Sequence, residues 1–140
     1  MHKDLAEGRW FQLSLMDQLG NIGSEVGRAE RAQGTDEHRF HQSVERALDL
    51  FDLTLEDARW RKQKRLREIN RAREVFCDAI YGEKQYGTTL ADLERYFMRF
   101  ALAAAREKEN SRKKEDEEVI KWTKRFIDKH RSALENLAKK

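Results

Sequence analysis

The chain has 140 residues, the size of one ordinary domain, with 39% charged residues, 39% hydrophobic residues, seven glycines and no proline. This composition favours long helices joined by few turns and argues against a strand-rich fold with many tight turns. The net charge is only +3, so total charge does not indicate nucleic-acid binding, and any basic surface must come from local clustering.

The first predicted helix runs from residue 9 to about residue 30. Its apolar positions recur at steps of three and four, the period of an amphipathic helix, and they include Leu15, Leu19, Ile22 and Val26. Gly20, Gly23 and Gly27 share one side of this helix, although each costs about 1 kcal/mol relative to alanine. We interpret them as a surface on which a neighbouring helix packs closely, because dispersion contacts can offset that cost. A kink near Gly20 is the alternative.

The second predicted helix begins after Thr35 or Asp36, either of which can cap its first turn. Its predicted buried face comprises Phe40, Val44, Ala47, Phe51 and Leu55. A third helix is expected from about Asp57 to Gly82, although the pattern does not define where the second helix ends and the third begins. The predicted buried face of the third helix comprises Leu66, Ile69, Phe76 and Ile80.

The fourth predicted helix follows Thr89 and Asp92, which form a capping-box pattern. Its apolar face comprises Leu90, Leu93, Phe97, Phe100, Ala101 and Ala104. Residues 106–118 are almost wholly charged, with five basic and six acidic side chains. Apolar spacing then returns in a C-terminal helix with Val119, Trp122, Phe126, Leu134 and Leu137. Either Asn110-Ser111 is a hinge between these two helices, or one helix runs through with a solvated middle.

The predicted elements together define the fold class. We predict an all-α protein, an antiparallel four-helix bundle over residues 1–109 with an additional C-terminal helix in a charged tail over residues 110–140.

A family resemblance is carried by the segment that contains the glycines. Asn21-Ile22 followed by Gly27-Arg28 resembles the Asn-Ile-x-x-x-x-Gly-Arg motif of the four-helix-bundle proteins encoded in intervening sequences of bacterial large ribosomal RNA genes. Phe40, Val44 and Ala47-Leu48 resemble the Phe-x-x-x-Leu-x-x-Ala-Leu helix that follows this motif in the family. The resemblance covers about residues 19–51.

The resemblance also implies a function. Related to that family are the accessory variability determinant proteins of diversity-generating retroelements, which are ring-forming bundles that bind a reverse transcriptase and nucleic acid. A chain similar to them is expected to assemble into a homo-oligomer and to bind RNA or DNA together with a protein partner. The partner that the resemblance implies is a reverse transcriptase.

Basic residues cluster in the third predicted helix. Between residues 59 and 73, eight of fifteen residues are basic and only Glu68 is acidic. On a helical wheel the positions opposite the apolar face, and therefore predicted to face solvent, are Trp60, Lys64, Arg67 and Arg71. Cationic side chains along a helix can contact phosphates, and an exposed indole can stack on a base. We therefore predict a nucleic-acid-binding surface here; a merely solvated basic face is the alternative.

An acidic line is predicted on the second helix. Its members step by four, three and four residues on the side opposite the apolar face, and they are Glu45, Asp49, Asp52 and Glu56. Since the acidic and basic surfaces both point away from the core, they are poorly placed to neutralise each other within one bundle. We predict that they pair between subunits of a ring or dimer.

Candidate catalytic and metal-binding groups are few. Cys77 is the only cysteine, which excludes an internal disulfide and a cysteine-based zinc cluster and suits a reducing cytoplasm. His38 and His41 lie one helical turn apart without an evident third ligand, so no metal or other cofactor is expected. No apolar run approaches the roughly 20 residues of a membrane span, so we expect a soluble, cytoplasmic protein without membrane contact.

One pattern points to catalysis. Arg125 and His130 fit the Arg-x-x-x-x-His pattern of the HEPN ribonucleases, which are also helical bundles. In that family the arginine and the histidine, usually paired across a dimer, act on the RNA phosphate and 2′-hydroxyl without a metal. Here His130 also continues the apolar stripe of the C-terminal helix, which favours a packed histidine instead.

These patterns together favour a non-catalytic, oligomeric accessory protein that binds nucleic acid and a protein partner. The alternatives are a HEPN-type ribonuclease that acts through Arg125 and His130, and a purely structural protein–protein adaptor that binds no nucleic acid.

Overall fold

Helices are the only regular secondary structure in the described part of the chain. A computed structural model describes residues 8–82 and 85–138, of which none lies in a strand, and helices account for 86% of the structure. The prediction of an all-α fold is confirmed. A 3-10 turn at Trp10–Gln12 precedes the α-helices, which are α1 (Leu15–Ala32), α2 (Glu37–Leu55), α3 (Ala58–Lys62), α4 (Leu66–Tyr81), α5 (Leu90–Lys129) and α6 (Arg131–Ala138).

The start of α1 differs from the prediction. The chain is extended at Leu13, and α1 begins only after Ser14, whose hydroxyl oxygen accepts a hydrogen bond from the backbone N–H of Asp17 at 3.1 Å. The predicted start at residue 9 is therefore wrong, because a serine N-cap directs the helix to begin later. Helix α1 runs without interruption past Gly20, so the helix is not broken there.

The predicted caps of α2 and α5 are confirmed. Asp36 accepts a hydrogen bond from the N–H of Arg39 at 3.1 Å, and so Asp36, not Thr35, caps α2. At the start of α5, Thr89 and Asp92 bond each other's backbone N–H groups reciprocally, both at 3.1 Å.

The three glycines of α1 lie against α5. A Cβ built on Gly20 would come within 3.1 Å of the Cα of Ala101, and one built on Gly23 would overlap the Cβ of Phe97. The next glycine along α1, Gly27, lies against Glu94, so contacts that advance along α1 run backwards along α5. The two helices are thus antiparallel, and the interpretation of the glycines as a close-packing surface is confirmed.

The core joins α1, α2, α4 and the first part of α5. The ring of Phe51 on α2 lies 5.8 Å from that of Phe76 on α4 and 5.9 Å from that of Phe97 on α5. Ile22 and Val26 of α1 are fully buried in the same cluster. Four helices therefore share one interior, as an antiparallel four-helix bundle requires.

Contacts divide the chain into two units, Met1–Ala104 and Ala105–Lys140, whereas the sequence suggested a boundary after residue 109. Helix α5 crosses this division without a break at Asn110-Ser111, so the continuous helix, and not the hinge, is observed. In the second unit Val119, Trp122 and Phe126 are exposed. The side chains of Leu134 and Leu137, the other members of that predicted stripe, lie outside the described part of the structure. Among the described residues, no helix is both long and apolar enough to cross a membrane.

Candidate nucleic-acid interface

The third predicted helix is two helices joined by a turn. Helix α3 ends at Lys62 and α4 begins at Leu66, and between them Lys64 has a φ of 59°. The N–H of Arg65 donates to the carbonyl oxygen of Trp60 at 2.8 Å, and the N–H of Lys64 donates to that of Arg61 at 3.3 Å. These two hydrogen bonds form a Schellman motif, which ends a helix with one left-handed residue. A continuous helix from residue 57 to residue 82 was therefore a wrong prediction.

Lys64 occupies the left-handed position of this motif, where glycine is usual. A side chain with a Cβ is less stable than glycine in that conformation. The backbone at this turn is thus held in a conformation that the lysine side chain does not favour, and such positions often coincide with functional sites.

Four cations are presented at this turn, and we call them the cationic turn: Arg61, Lys62, Lys64 and Arg67. All four are exposed. Their neighbour Arg65 pairs with Glu68 at 3.3 Å, but within the described part of the chain no carboxylate forms an ion pair with any member of the cationic turn. The positive charge of this surface is therefore available to an external anion.

A buried polar network holds the cationic turn in place. Gln18 of α1 accepts a hydrogen bond from the indole N–H of Trp60 at 2.7 Å. Its amide nitrogen donates to the carboxylate of Asp57 at 3.1 Å and to the carbonyl oxygen of Trp10 at 3.0 Å. The indole N–H of Trp10 donates in turn to the hydroxyl of Thr54 at 3.0 Å. The network therefore ties α3 to α1, to the end of α2 and to the N-terminal 3-10 turn.

Asp57 caps α3 and anchors Arg59. Its carboxylate accepts hydrogen bonds from the backbone N–H of Arg59 at 3.0 Å and from the guanidinium of the same residue at 2.7 Å. Burial raises the pKa of Asp57, but the hydrogen bonds from Arg59 and Gln18 lower it by more, so the pKa lies below its usual value. The Arg59 guanidinium also donates to the carbonyl oxygen of Leu13 at 2.6 Å and stacks over the Trp60 ring, 4.5 Å from its centroid. Arg59 is thus occupied within the chain, unlike the cationic turn.

The expected solvent exposure of Trp60 is wrong. Trp60 is only 6% exposed and lies in the core, where Gln18 accepts from its indole N–H. A buried indole whose ring also lies beneath the Arg59 guanidinium has no exposed face on which a base could stack.

The other three predicted contact residues are exposed. Lys64 and Arg67 belong to the cationic turn. Arg71 lies farther along α4, with its guanidinium over the ring of Tyr86, 4.5 Å from the centroid. Since stacking leaves the guanidinium edge open to solvent, Arg71 can still donate to a phosphate.

The predicted acidic line is exposed along α2 and at its C-cap, and its members are Glu45, Asp49, Asp52 and Glu56. However, Arg73 of α4 pairs with Asp52 at 3.0 Å. Arg73 is not a member of the predicted basic surface, and this ion pair forms because α2 and α4 pack side by side. Glu45, Asp49 and Glu56 form no ion pair with any other described residue.

A second arginine-rich surface was missed by the sequence analysis. A crevice of about 510 Å³ between α1 and α2 is lined by Arg28, Arg31, Arg39 and Arg46, among others. The spacing in the sequence could have indicated this surface. Arg28 and Arg31 are three residues apart, Arg39 and Arg46 are seven residues apart, and the two pairs lie on either side of one short turn. Three of these arginines already form ion pairs: Arg28 with Glu25 at 2.6 Å, Arg31 with Glu94 at 3.1 Å, and Arg39 with Asp36 at 3.5 Å. The crevice therefore has less free positive charge than the cationic turn.

The residues considered as candidate catalytic or metal-binding groups are not members of the cationic turn. Arg125 is exposed near the end of α5, and His130 is exposed at the break before α6 with its ring 4.5 Å from that of Phe126. The Nε2 atom of His41 lies 3.7 Å from a carboxylate oxygen of Glu37 on the exposed first turn of α2. Over residues 8–82 and 85–138, no group of three or more histidine, cysteine, aspartate or glutamate side chains is placed to hold a metal ion.

Comparisons with known proteins add no relative. No protein-family model matches this sequence, and neither a curated protein nor a solved structure is significantly similar to it. The resemblance over residues 19–51 is therefore carried by its motif and the helix that follows it.

Proposed function

We propose that this chain is a non-catalytic, oligomeric accessory protein that binds nucleic acid through the cationic turn. The observation that carries the proposal is Lys64, a lysine at a left-handed position where glycine is usual, among three further exposed cations. The presence of lysine at a position that favours glycine is explained if the lysine ammonium group makes a contact that glycine cannot make. Contact with phosphate is such a contact.

The chemistry of the cationic turn favours the backbone of RNA or DNA over the bases. Lysine and arginine side chains on a turn can contact successive phosphates, and each neutralised phosphate releases counterions. With Trp60 buried, the surface offers no exposed tryptophan for stacking. Binding is therefore expected to be strongly salt-dependent with little sequence preference.

Assembly and a protein partner complete the proposal. Glu45, Asp49 and Glu56 remain as an exposed acidic row on α2, while Asp52 is paired with Arg73. We propose that this row contacts a basic surface of a neighbouring subunit, since complementary charges orient such contacts. The resemblance of residues 19–51 suggests a reverse transcriptase as the protein partner.

The decisive experiment replaces Lys64 by glycine. Lys64→Gly relieves the left-handed strain and is expected to stabilise the fold by about 0.5–1 kcal/mol. The same change is expected to lower the affinity for RNA or DNA and to reduce the slope of log K against log salt by about 0.7–0.9. Fluorescence anisotropy with single-stranded and duplex oligonucleotides, together with urea unfolding, measures both effects. A more stable variant that binds less well cannot be explained by misfolding.

A charge-matched pair of variants localises the surface. Lys64→Glu with Arg67→Glu is expected to abolish binding, whereas Arg99→Glu with Arg106→Glu on α5 makes the same change in net charge and is expected to weaken it only slightly. Equal losses in both variants would show that total charge, and not the cationic turn, attracts nucleic acid. Unchanged binding in the first variant would favour the purely structural adaptor.

Catalysis is tested in the same titrations. RNA is expected to stay intact. Cleavage that disappears in Arg125→Ala and His130→Ala would replace this proposal by a HEPN-type ribonuclease.

A further inference from the structure

The second unit, residues 105–140, carries an exposed apolar surface that the cationic turn does not explain. Its members, which we call the tail stripe, are Val119, Ile120, Trp122, Phe126 and Ile127, and their exposed fractions run from 44% to 62%. They lie within nine residues of α5. The Trp122 and Phe126 rings stack with centroids 5.4 Å apart, and the ring of His130 follows at 4.5 Å from that of Phe126.

The spacing of the tail stripe is that of a helix–helix interface. Val119, Trp122 and Phe126 are separated by three and four residues and so lie along one face of α5, with Ile120 and Ile127 widening that face. A contiguous exposed apolar patch of this kind marks an interaction surface. Aromatic side chains at its centre are the residues that most often dominate binding.

The charged residues nearest the tail stripe form two blocks of opposite sign, and a further basic run, Arg112, Lys113 and Lys114, precedes the acidic block. Residues 115–118 are all acidic: Glu115, Asp116, Glu117 and Glu118. Residues 121–131 contain five basic side chains, Lys121, Lys124, Arg125, Lys129 and Arg131, and one acidic side chain, Asp128. The two blocks therefore carry charges of equal size and opposite sign on either side of Val119.

This charge order selects both the partner and its orientation. In a parallel pair of such helices each block would lie beside its own copy, and like charges would repel. In an antiparallel pair the acidic block of one helix lies beside the basic block of the other, while the two tail stripes pack together. We propose that the tail stripe binds the tail stripe of a second copy of this chain in an antiparallel helix pair.

This proposal is independent of nucleic-acid binding, and it adds a second subunit contact to the acidic row of α2. A second copy fits better than an anionic membrane surface, because four consecutive carboxylates beside the tail stripe would be repelled by acidic headgroups. The two-fold arrangement also uses one surface twice, which is the commonest form of closed assembly.

The first test measures the particle mass of the full chain by light scattering over a range of protein concentrations. Trp122→Ala with Phe126→Ala is expected to weaken self-association by roughly 100-fold or more, since two central aromatic contacts are lost on each helix. Glu109→Ala with Lys113→Ala is the matched control. It removes an exposed ion pair with the same spacing on the same helix and is expected to leave the mass unchanged.

The second test determines the orientation. Lys124→Glu with Arg125→Glu removes the attraction between blocks in an antiparallel pair and is expected to weaken self-association by about tenfold. Adding Glu117→Lys with Glu118→Lys reverses two carboxylates of the acidic block, so that the new glutamates again have cations to pair with, and is expected to restore it. In a parallel pair the first change would leave like charges beside like charges and would have little effect.

Three results would overturn the proposal. They are a particle mass that Trp122→Ala with Phe126→Ala leaves unchanged, a second charge reversal that fails to restore self-association, and monomers that bind phosphatidylserine vesicles through the tail stripe. Lys64→Gly is expected to leave the mass unchanged, and reversal of Glu45 and Asp49 to lysine tests the acidic row alone. Failure of the tail pair is therefore distinguishable from failure of nucleic-acid binding or of the other subunit contact.

Discussion

Two tryptophans of this chain each have basic neighbours in the sequence but lie in opposite environments. Trp60, in the unit that ends at Ala104, is 6% exposed and donates its indole N–H to Gln18. Trp122, in the unit that begins at Ala105, is 59% exposed, and no described residue accepts from its N–H. Basic neighbours therefore do not determine whether an aromatic side chain is a core residue or a contact residue. The two tryptophans differ in that Trp60 has a buried hydrogen-bond acceptor on another helix, Gln18 of α1.

The comparison predicts its largest effect at Trp60. Trp60→Ala removes a large buried side chain and leaves the amide oxygen of Gln18 without its donor, so the free energy of unfolding is expected to fall by about 3–5 kcal/mol. Urea unfolding followed by circular dichroism measures the change. A loss below about 1 kcal/mol would contradict the role assigned to the buried network.

The next effect is expected at Asp57, where the charge can be removed while the shape is kept. Asp57→Asn replaces charge-assisted hydrogen bonds to Arg59 by neutral ones and is expected to cost about 1.5–3 kcal/mol at neutral pH. Glu56→Gln, at the exposed neighbouring position, is the control and is expected to have little effect.

The pH dependence of the same variant sharpens this prediction. Because the folded-state pKa of Asp57 is lowered, its contribution to stability is present above the unfolded-state pKa, near 3.8, and is lost as the pH falls through the folded value. The pKa of Asp92 is lowered too, by hydrogen bonds from Thr89, and this contribution is common to both proteins. Unfolding curves of the wild type and Asp57→Asn should therefore converge as the pH falls below about 4. A constant difference down to acid pH would show that the charge of Asp57 is not responsible.

A smaller effect on stability is expected at Gly23, which lies against the part of α5 that packs in the bundle. Gly23→Ala improves helix propensity by about 1 kcal/mol but places a Cβ in the space of the Phe97 Cβ, so α5 must shift. Overpacking of this kind gives an expected net loss of about 1–3 kcal/mol in urea unfolding. Ser24→Ala, the exposed neighbour on α1, has no such clash and should be neutral. Equal stability of both variants would mean that α1 and α5 do not pack closely in solution.

The smallest effect is expected at Trp122. Trp122→Ala should change the free energy of unfolding of the bundle by less than about 0.5 kcal/mol, because the side chain is exposed and has no buried hydrogen-bond partner. Unfolding is followed by the fluorescence of Trp10 and Trp60 at a protein concentration where the chain is monomeric. A loss comparable to that of Trp60→Ala would remove the contrast between the two regions.

The sequence by itself determined the helical class, the buried faces of the bundle helices and the glycine surface of α1. Each follows from local rules, because helical spacing places Ile22, Val26 and Phe51 inside and because only a close neighbour compensates for three glycines in one helix. The Thr89 and Asp92 caps were equally local, since their partners lie three residues away.

Only the tertiary structure decided that Trp60 is buried and how the candidate surface is shaped. A helical wheel assumes an unbroken helix. In the structure the indole N–H of Trp60 donates to Gln18, 42 residues earlier in the chain, and the indole is buried. The Schellman motif ends α3, so that Lys64 and Arg67 lie at a turn. Hydrogen bonds between distant residues leave no periodic signal, so spacing alone could not show that one member of the basic cluster belongs to the core. The same physical reason explains why the pairing of Arg73 with Asp52 was not foreseen.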